Sequence, residues 1–88
     1  MITLNFNPIP DGFQSEPIKA NAASIAVHLE FANSSKVRIL HSITEDNYTL
    51  CKMINVTSTY EVTVTGLMPG QNVRIETTEE PTVAGFLS

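Results

Sequence analysis

Alternation with a period of two runs through most of this 88-residue chain. Ile2, Leu4 and Phe6 alternate with Thr3 and Asn5. Ile25, Val27, Leu29 and Phe31 alternate with Ala26, His28 and Glu30, and Val37 and Ile39 with Lys36 and Arg38. Tyr60, Val62 and Val64 alternate with Glu61 and Thr63, and Val73 and Ile75 with Asn72, Arg74 and Glu76. Successive side chains of a strand point to opposite faces, so each run has one apolar and one polar face. That pattern belongs to antiparallel sheets packed face to face. Strands of a parallel sheet are buried on both sides and read as continuous apolar runs. No segment carries the 3.6-residue apolar stripe of a helix.

Turn residues punctuate the runs. Asn33-Ser-Ser35, Glu45-Asp-Asn47, Thr57-Ser-Thr59 and Glu79-Glu-Pro81 each separate two of them, and Pro69-Gly70 has the order that suits a type II turn. The spacing predicts an all-β, antiparallel, immunoglobulin-like sandwich of about seven short strands, in one domain spanning 1–88. The alternation slips twice. His41 shares parity with Val37 and Ile39, and Lys52 shares parity with Leu50 and Ile54. A β-bulge, or an edge strand with an inward-pointing charge, accounts for either slip.

Residues 8–23 read differently. Pro8, Pro10, Gly12 and Pro17 interrupt the strand period, yet Ile9, Phe13 and Ile18 are costly to leave in water. The segment is therefore expected to be an irregular N-terminal arm. Its three apolar side chains would dock on the chain's own sheet or on a neighbouring subunit, two options the sequence leaves open.

Composition limits the partners. Five Lys and Arg against nine Asp and Glu give a net charge of −4, which offers no grip on a nucleic-acid backbone or an anionic membrane. No run reaches the roughly 18 apolar residues of a membrane span. The start of the chain alternates as a strand rather than reading as a secretory signal. A lone Cys51 has no intramolecular disulfide partner.

Chemistry is sparse. His28, His41 and Cys51 are the only imidazoles and thiol. Nucleophilic catalysis would need Cys51 beside one imidazole with a third group orienting it, and nothing in the spacing brings them together. Two His and one Cys without a C-x-x-C pair fall short of a zinc set. The adjacent acids Glu45-Asp46 and Glu79-Glu80 lie in turns, and the four glycines make no phosphate-binding loop. The reading is of no catalytic residue, no metal and no cofactor.

The stretch Tyr60-Glu-Val-Thr-Val-Thr-Gly-Leu-Met-Pro-Gly-Gln-Asn-Val-Arg-Ile75 resembles fibronectin type III-like domains, in which an aromatic-led strand ends in a Gly-Leu-x-Pro-Gly turn and a return strand. The resemblance implies an immunoglobulin-like sandwich. It departs from the family at Val73, where a tyrosine corner would place Tyr. In its size, acidity, scarcity of Cys and richness in Thr, Asn and Val, the chain is also similar to auxiliary (decoration) and head-fibre base proteins of bacteriophage capsids. That similarity implies a non-enzymatic structural protein of the virion, present in the host cytoplasm during assembly. It would bind other capsid subunits, with self-association as a further contact, through the arm residues Ile9, Phe13 and Ile18 and through a strand edge. The alternative is an immunoglobulin-like binding module that recognises a glycan, a cation or a protein through end loops bearing Asn33, Asp46, Asn47 and Gly70.

Overall fold

The computed structural model describes residues 1–44 and 46–87; Glu45, half of one acidic turn pair, lies outside the described residues. Ten strands follow in order: β1 Ile2–Thr3, β2 Phe6–Ile9, β3 Gly12–Ser15, β4 Ile18–Lys19 and β5 Ile25–Glu30, then β6 Ser35–Ser42, β7 Thr49–Val56, β8 Thr59–Val64, β9 Asn72–Thr77 and β10 Val83–Leu87. No described residue is helical. A four-stranded sheet runs β1-β10-β5-β8. A six-stranded sheet runs β2-β3-β9-β6-β7, with β4 also beside β9. Every pairing is antiparallel.

The core lies between the two sheets and is made by the alternation itself. Ile25, Val27 and Leu29 from β5 meet Val37 and Ile39 from β6 and Val73 and Ile75 from β9, all buried. Two short crossings bind the layers along their sides. Leu4, 5% exposed, sits where the chain passes from β1 to β2, and its N–H donates to the Ala84 carbonyl at 3.0 Å. Thr57 and Ser58 carry the chain from β7 to β8, and Phe31 N–H donates to the Ser58 carbonyl at 2.8 Å. The first alternating run is therefore split between the sheets, and Ile2 ends 56% exposed rather than buried.

Residues 8–23 are not an irregular arm along most of their length. Phe6–Ile9 and Gly12–Ser15 form a hairpin, with Ile9 opposite Gly12, and β3 adds to β9 through Phe13 opposite Thr77. Beyond Pro17 the chain pairs with β9 again, Ile18 opposite Val73. The gap between these pairings would orphan a core N–H. Ser15 Oγ fills it by accepting from Ile75 N–H at 2.9 Å, which removes the penalty of a buried unpaired donor. The prolines that suggested a coil are placed where a sheet tolerates them. Pro8 lies on edge strand β2, Pro10 begins the hairpin turn and Pro17 separates β3 from β4. This hairpin and β4 account for three of the strands beyond the expected seven.

The slip in β6 and β7 is a bulge. Ile39 pairs with Lys52 but Leu40 pairs with Leu50, so Cys51 is the extra residue. β7 is also an edge strand, with exposed Lys52 on the inward-facing parity opposite Ile39. Pro69 and Gly70 form the expected turn: Gly70 has φ +89°, and Gln71 N–H donates to the Met68 carbonyl at 2.9 Å. The last two strands, neighbours in an immunoglobulin-type order, lie in different sheets here, since β10 pairs with β5 and β1.

Candidate functional site

The outer face of the four-stranded sheet holds a cluster of three interacting ionisable side chains brought together by its cross-strand register. On β5 the inward residues are Ile25, Val27 and Leu29, which leaves Ala26, His28 and Glu30 facing out. His28 lies directly opposite Glu61 on β8. Its Nδ1 is 2.7 Å from a Glu61 carboxylate oxygen, and its Nε2 is 2.7 Å from Glu30 two residues along the same strand. Hydrogen bonds to Glu30 first, and to Glu61 second, raise the His28 pKa above its usual value. Protonated His28 donates from both ring nitrogens and offsets the repulsion of two carboxylates on one face.

Both imidazole nitrogens are therefore occupied. A general base needs one nitrogen oriented by a carboxylate and the other turned to substrate, and His28 offers no second nitrogen. His41 has its Nδ1 3.2 Å from the Gln71 side-chain nitrogen. Cys51 is exposed on β7, and partial burial of its sulfur pushes the thiol pKa up, away from the thiolate that a nucleophile requires. Among the described residues no group of three or more His, Cys, Asp and Glu is placed to hold a metal ion. At 2.7 Å the carboxylates bond directly to the ring, with no room for an ion between them.

Gly85 faces His28 across β10 and β5. Because it has no side chain, the Met1 side chain lies over it. The result is an open groove of about 640 Å³ between apolar walls (Met1, Ala26, Leu87) and the His28–Glu61 pair. The opposite outer face, on the six-stranded sheet, has a smaller groove of about 240 Å³ lined by Ile9, Lys36, Arg38, Met53 and Glu76 among others.

Charge is divided between the sheets. All five Lys and Arg of the chain, namely Lys19, Lys36, Arg38, Lys52 and Arg74, lie on strands of the six-stranded sheet. The strands of the four-stranded sheet contain none and carry Glu30 and Glu61. On the basic side Arg38 sits 3.6 Å from Glu76, and Arg74 stacks 4.2 Å from the centre of the Tyr48 ring. Sequence reading did not find this division. The signal was present, in that every alternating run bearing Lys or Arg pairs with another such run, but it needed the strand order to become visible.

The sheet edges differ in how they are guarded. β1 has two residues, β2 carries Pro8, and β8 places Glu61 between outward-facing Thr59 and Thr63. β7 is eight residues long and exposed over most of its length, with Leu50 at 45% and Met53 at 59% exposure and Lys52 its one charge. Unpaired N–H and C=O groups along such an edge are a template for another strand.

The expected contact residues fall in different places. Ile18 is 2% exposed within the chain's own core, so it presents nothing to a partner. Ile9 and Phe13 are half-buried in the hairpin, Ile9 in the groove of the basic face. Ile18 thus docks on its own chain, and the β2–β3 hairpin pairs with β9 of the same chain while Ile9 and Phe13 keep part of their surface exposed. The four loop residues do not share one end of the sandwich. Asn33 follows Glu30, at the end where β5 pairs with the start of β8, whereas Asp46, Asn47 and Gly70 lie at the opposite end. There Asp46 and Asn47 N–H groups point to Thr44 Oγ1 at 3.4 and 3.2 Å, and Gly70 N–H donates to the Ala20 carbonyl at 2.8 Å. Comparison with protein-family models, with curated proteins and with solved structures finds no match to this chain.

Proposed function

We propose that this chain is a non-enzymatic structural protein that works by contact with other protein subunits, and that β7 is the strand it adds to a neighbour. The observation that carries this reading is the contrast in length and exposure among the edge strands: β1, β2, β4 and β8 have two, four, two and six residues, whereas β7 has eight and is exposed over most of its length. Strand addition supplies main-chain hydrogen bonds, and alternate side chains such as Leu50 and Met53 supply selectivity. The Cys51 bulge and Lys52 guard the first half of β7 and leave Met53–Val56 as the regular part of the edge. The similarity to phage auxiliary capsid proteins gives the setting of the proposal, a virion surface on which many copies add up weak contacts.

Cys51 supplies the experiment because it is the chain's one thiol and lies on the proposed contact strand. The chain is co-expressed with the products of its neighbouring genes, and assembled particles are separated by sedimentation. The unlabelled chain is expected to travel with the particles, and chain carrying a bulky maleimide on Cys51 to remain behind. Equal binding of labelled and unlabelled chain would remove β7 from the contact, and failure of the unlabelled chain to bind any particle would remove the structural reading.

One observation favours the end loops as a second reading. Ile43 and Met68 are 81% and 66% exposed at the same end as Asp46, Asn47 and Gly70. A thermal shift with calcium, or binding on a glycan array that Met68→Ser abolishes, would support a binding module there.

A further inference from the structure

The two outer faces of the sandwich differ in charge and share a pattern. On the four-stranded sheet, Glu61 and Glu30 sit beside an apolar-walled groove formed by Met1, Ala26 and Leu87. On the six-stranded sheet, exposed Met53 stands directly opposite Arg38 in register, with Lys36 near it on the same face. An apolar tip beside a guanidinium on one face thus matches an apolar groove beside a carboxylate on the other. We propose that copies of this chain stack head to tail, the acidic face of one against the basic face of the next, with Met53 entering the groove and Arg38 meeting Glu61.

Two considerations support a second copy as the occupant. The charges are complementary within one sequence, so no other partner has to be invoked. Lys19, Lys36, Arg38 and Arg74 face outward against Glu76 on one side, and Glu30 and Glu61 face outward around His28 on the other. The size is adequate too. Extents of 33 × 26 × 20 Å bound one broad face at about 860 Å², close to the roughly 800 Å² per partner of a stable interface. Asp11 and Glu76 also line the basic groove and Glu76 already pairs with Arg38, so Arg38 is shared between Glu76 and the incoming Glu61, with Lys36 on the same face to offset the two carboxylates. Because the two faces differ, the contact is heterologous, and it leaves one free face of each kind at the ends of any stack. The net charge of −4 opposes association at long range, so close complementarity has to drive it.

This contact uses the outward Met53 side chain of β7, whereas strand addition uses the main-chain edge of the same strand, and variants on the two outer faces test the first alone. Sedimentation velocity of the isolated wild-type chain should show a weight-average coefficient that rises with concentration and does not level off at dimer. Lys36→Glu combined with Arg38→Gln blocks the basic face, and Glu61→Lys blocks the acidic face. Thr63→Lys, at an exposed position lining the same groove, serves if Glu61→Lys disturbs folding, as judged by its melting curve. Each blocked variant alone should associate at least about tenfold more weakly, while their equimolar mixture should form a dimer and stop there, because one intact face of each kind remains. A wild-type chain that is monomeric at about 1 mM, a blocked variant that associates as well as wild type, or a mixture that stays monomeric would overturn the head-to-tail contact without bearing on strand addition by β7.

Discussion

Ile18→Ala separates an arm folded on its own chain from one that waits for a neighbour. Ile18 is 2% exposed, lies opposite Val73 on β9 and belongs to the buried cluster between the sheets. Alanine removes three carbons, worth about 0.8 kcal/mol each in transfer free energy, or about 2.4 kcal/mol together. The hole left behind adds to this, because a close-packed interior relaxes only partly, and brings the expected loss to about 3–4 kcal/mol. A chain of 88 residues has about 4–13 kcal/mol of stability to lose. The change should therefore lower the melting temperature of the isolated chain by roughly 12–30 °C. Urea and thermal unfolding of purified chain, followed by far-UV circular dichroism, would measure it. Ile9→Ala is the internal comparison: Ile9 is half-buried on the outer face and should cost about 1 kcal/mol. If Ile18→Ala costs less than about 1 kcal/mol, or no more than Ile9→Ala, then β4 is not part of the fold of the isolated chain and the cis docking derived above is wrong.

Three further outcomes follow from particular residues. His28 has a folded pKa raised above 6.5, so its stabilising contribution is full below pH 6.5 and is lost as pH rises through the folded value; the urea midpoint of wild type should fall relative to that of His28→Gln across this window, and a constant difference would show that the carboxylate clamp contributes nothing. Gly12 has φ +150°, and a Cβ there would overlap the Thr77 carbonyl oxygen, so Gly12→Ala should destabilise by about 2 kcal/mol or more, whereas Gly85→Ala, which meets only the flexible Met1 side chain, should cost much less in the same unfolding assay. The Cys51 thiol, exposed but with its pKa pushed above 9.0, should react with iodoacetamide at a rate still climbing at pH 9.0, and a plateau near neutral pH would reveal an activated thiolate.

The alternation alone determined the class of fold and the centre of the core. Throughout β5, and at Val37, Ile39, Val73 and Ile75, the residues of apolar parity are buried, because a strand cannot turn one side chain without turning its neighbours; Leu40, Ser42 and Asn72 are buried on the other parity, near the strand ends and the bulge. Pro69-Gly70 was legible for a similar local reason, since a type II turn needs φ > 0 at its third residue and glycine supplies it. Cys51 as the extra residue of a bulge was half-legible: the parity slip was in the sequence, but which of two strands absorbed it was not. Tertiary structure decided everything that depended on which strand lies beside which. Pro8 reads as a breaker until β2 is known to be an edge, where a missing N–H costs no ladder bond. Ser15 falls in the segment expected to be irregular, and its role shows only once Ile75 N–H is found to need an acceptor. The Glu30–His28–Glu61 clamp joins residues 33 positions apart through cross-strand register, and the separation of all five cations from Glu30 and Glu61 arises from the division of ten strands into two sheets. Side-chain parity is a local property of the chain, whereas strand neighbours are chosen by the free energy of the whole core.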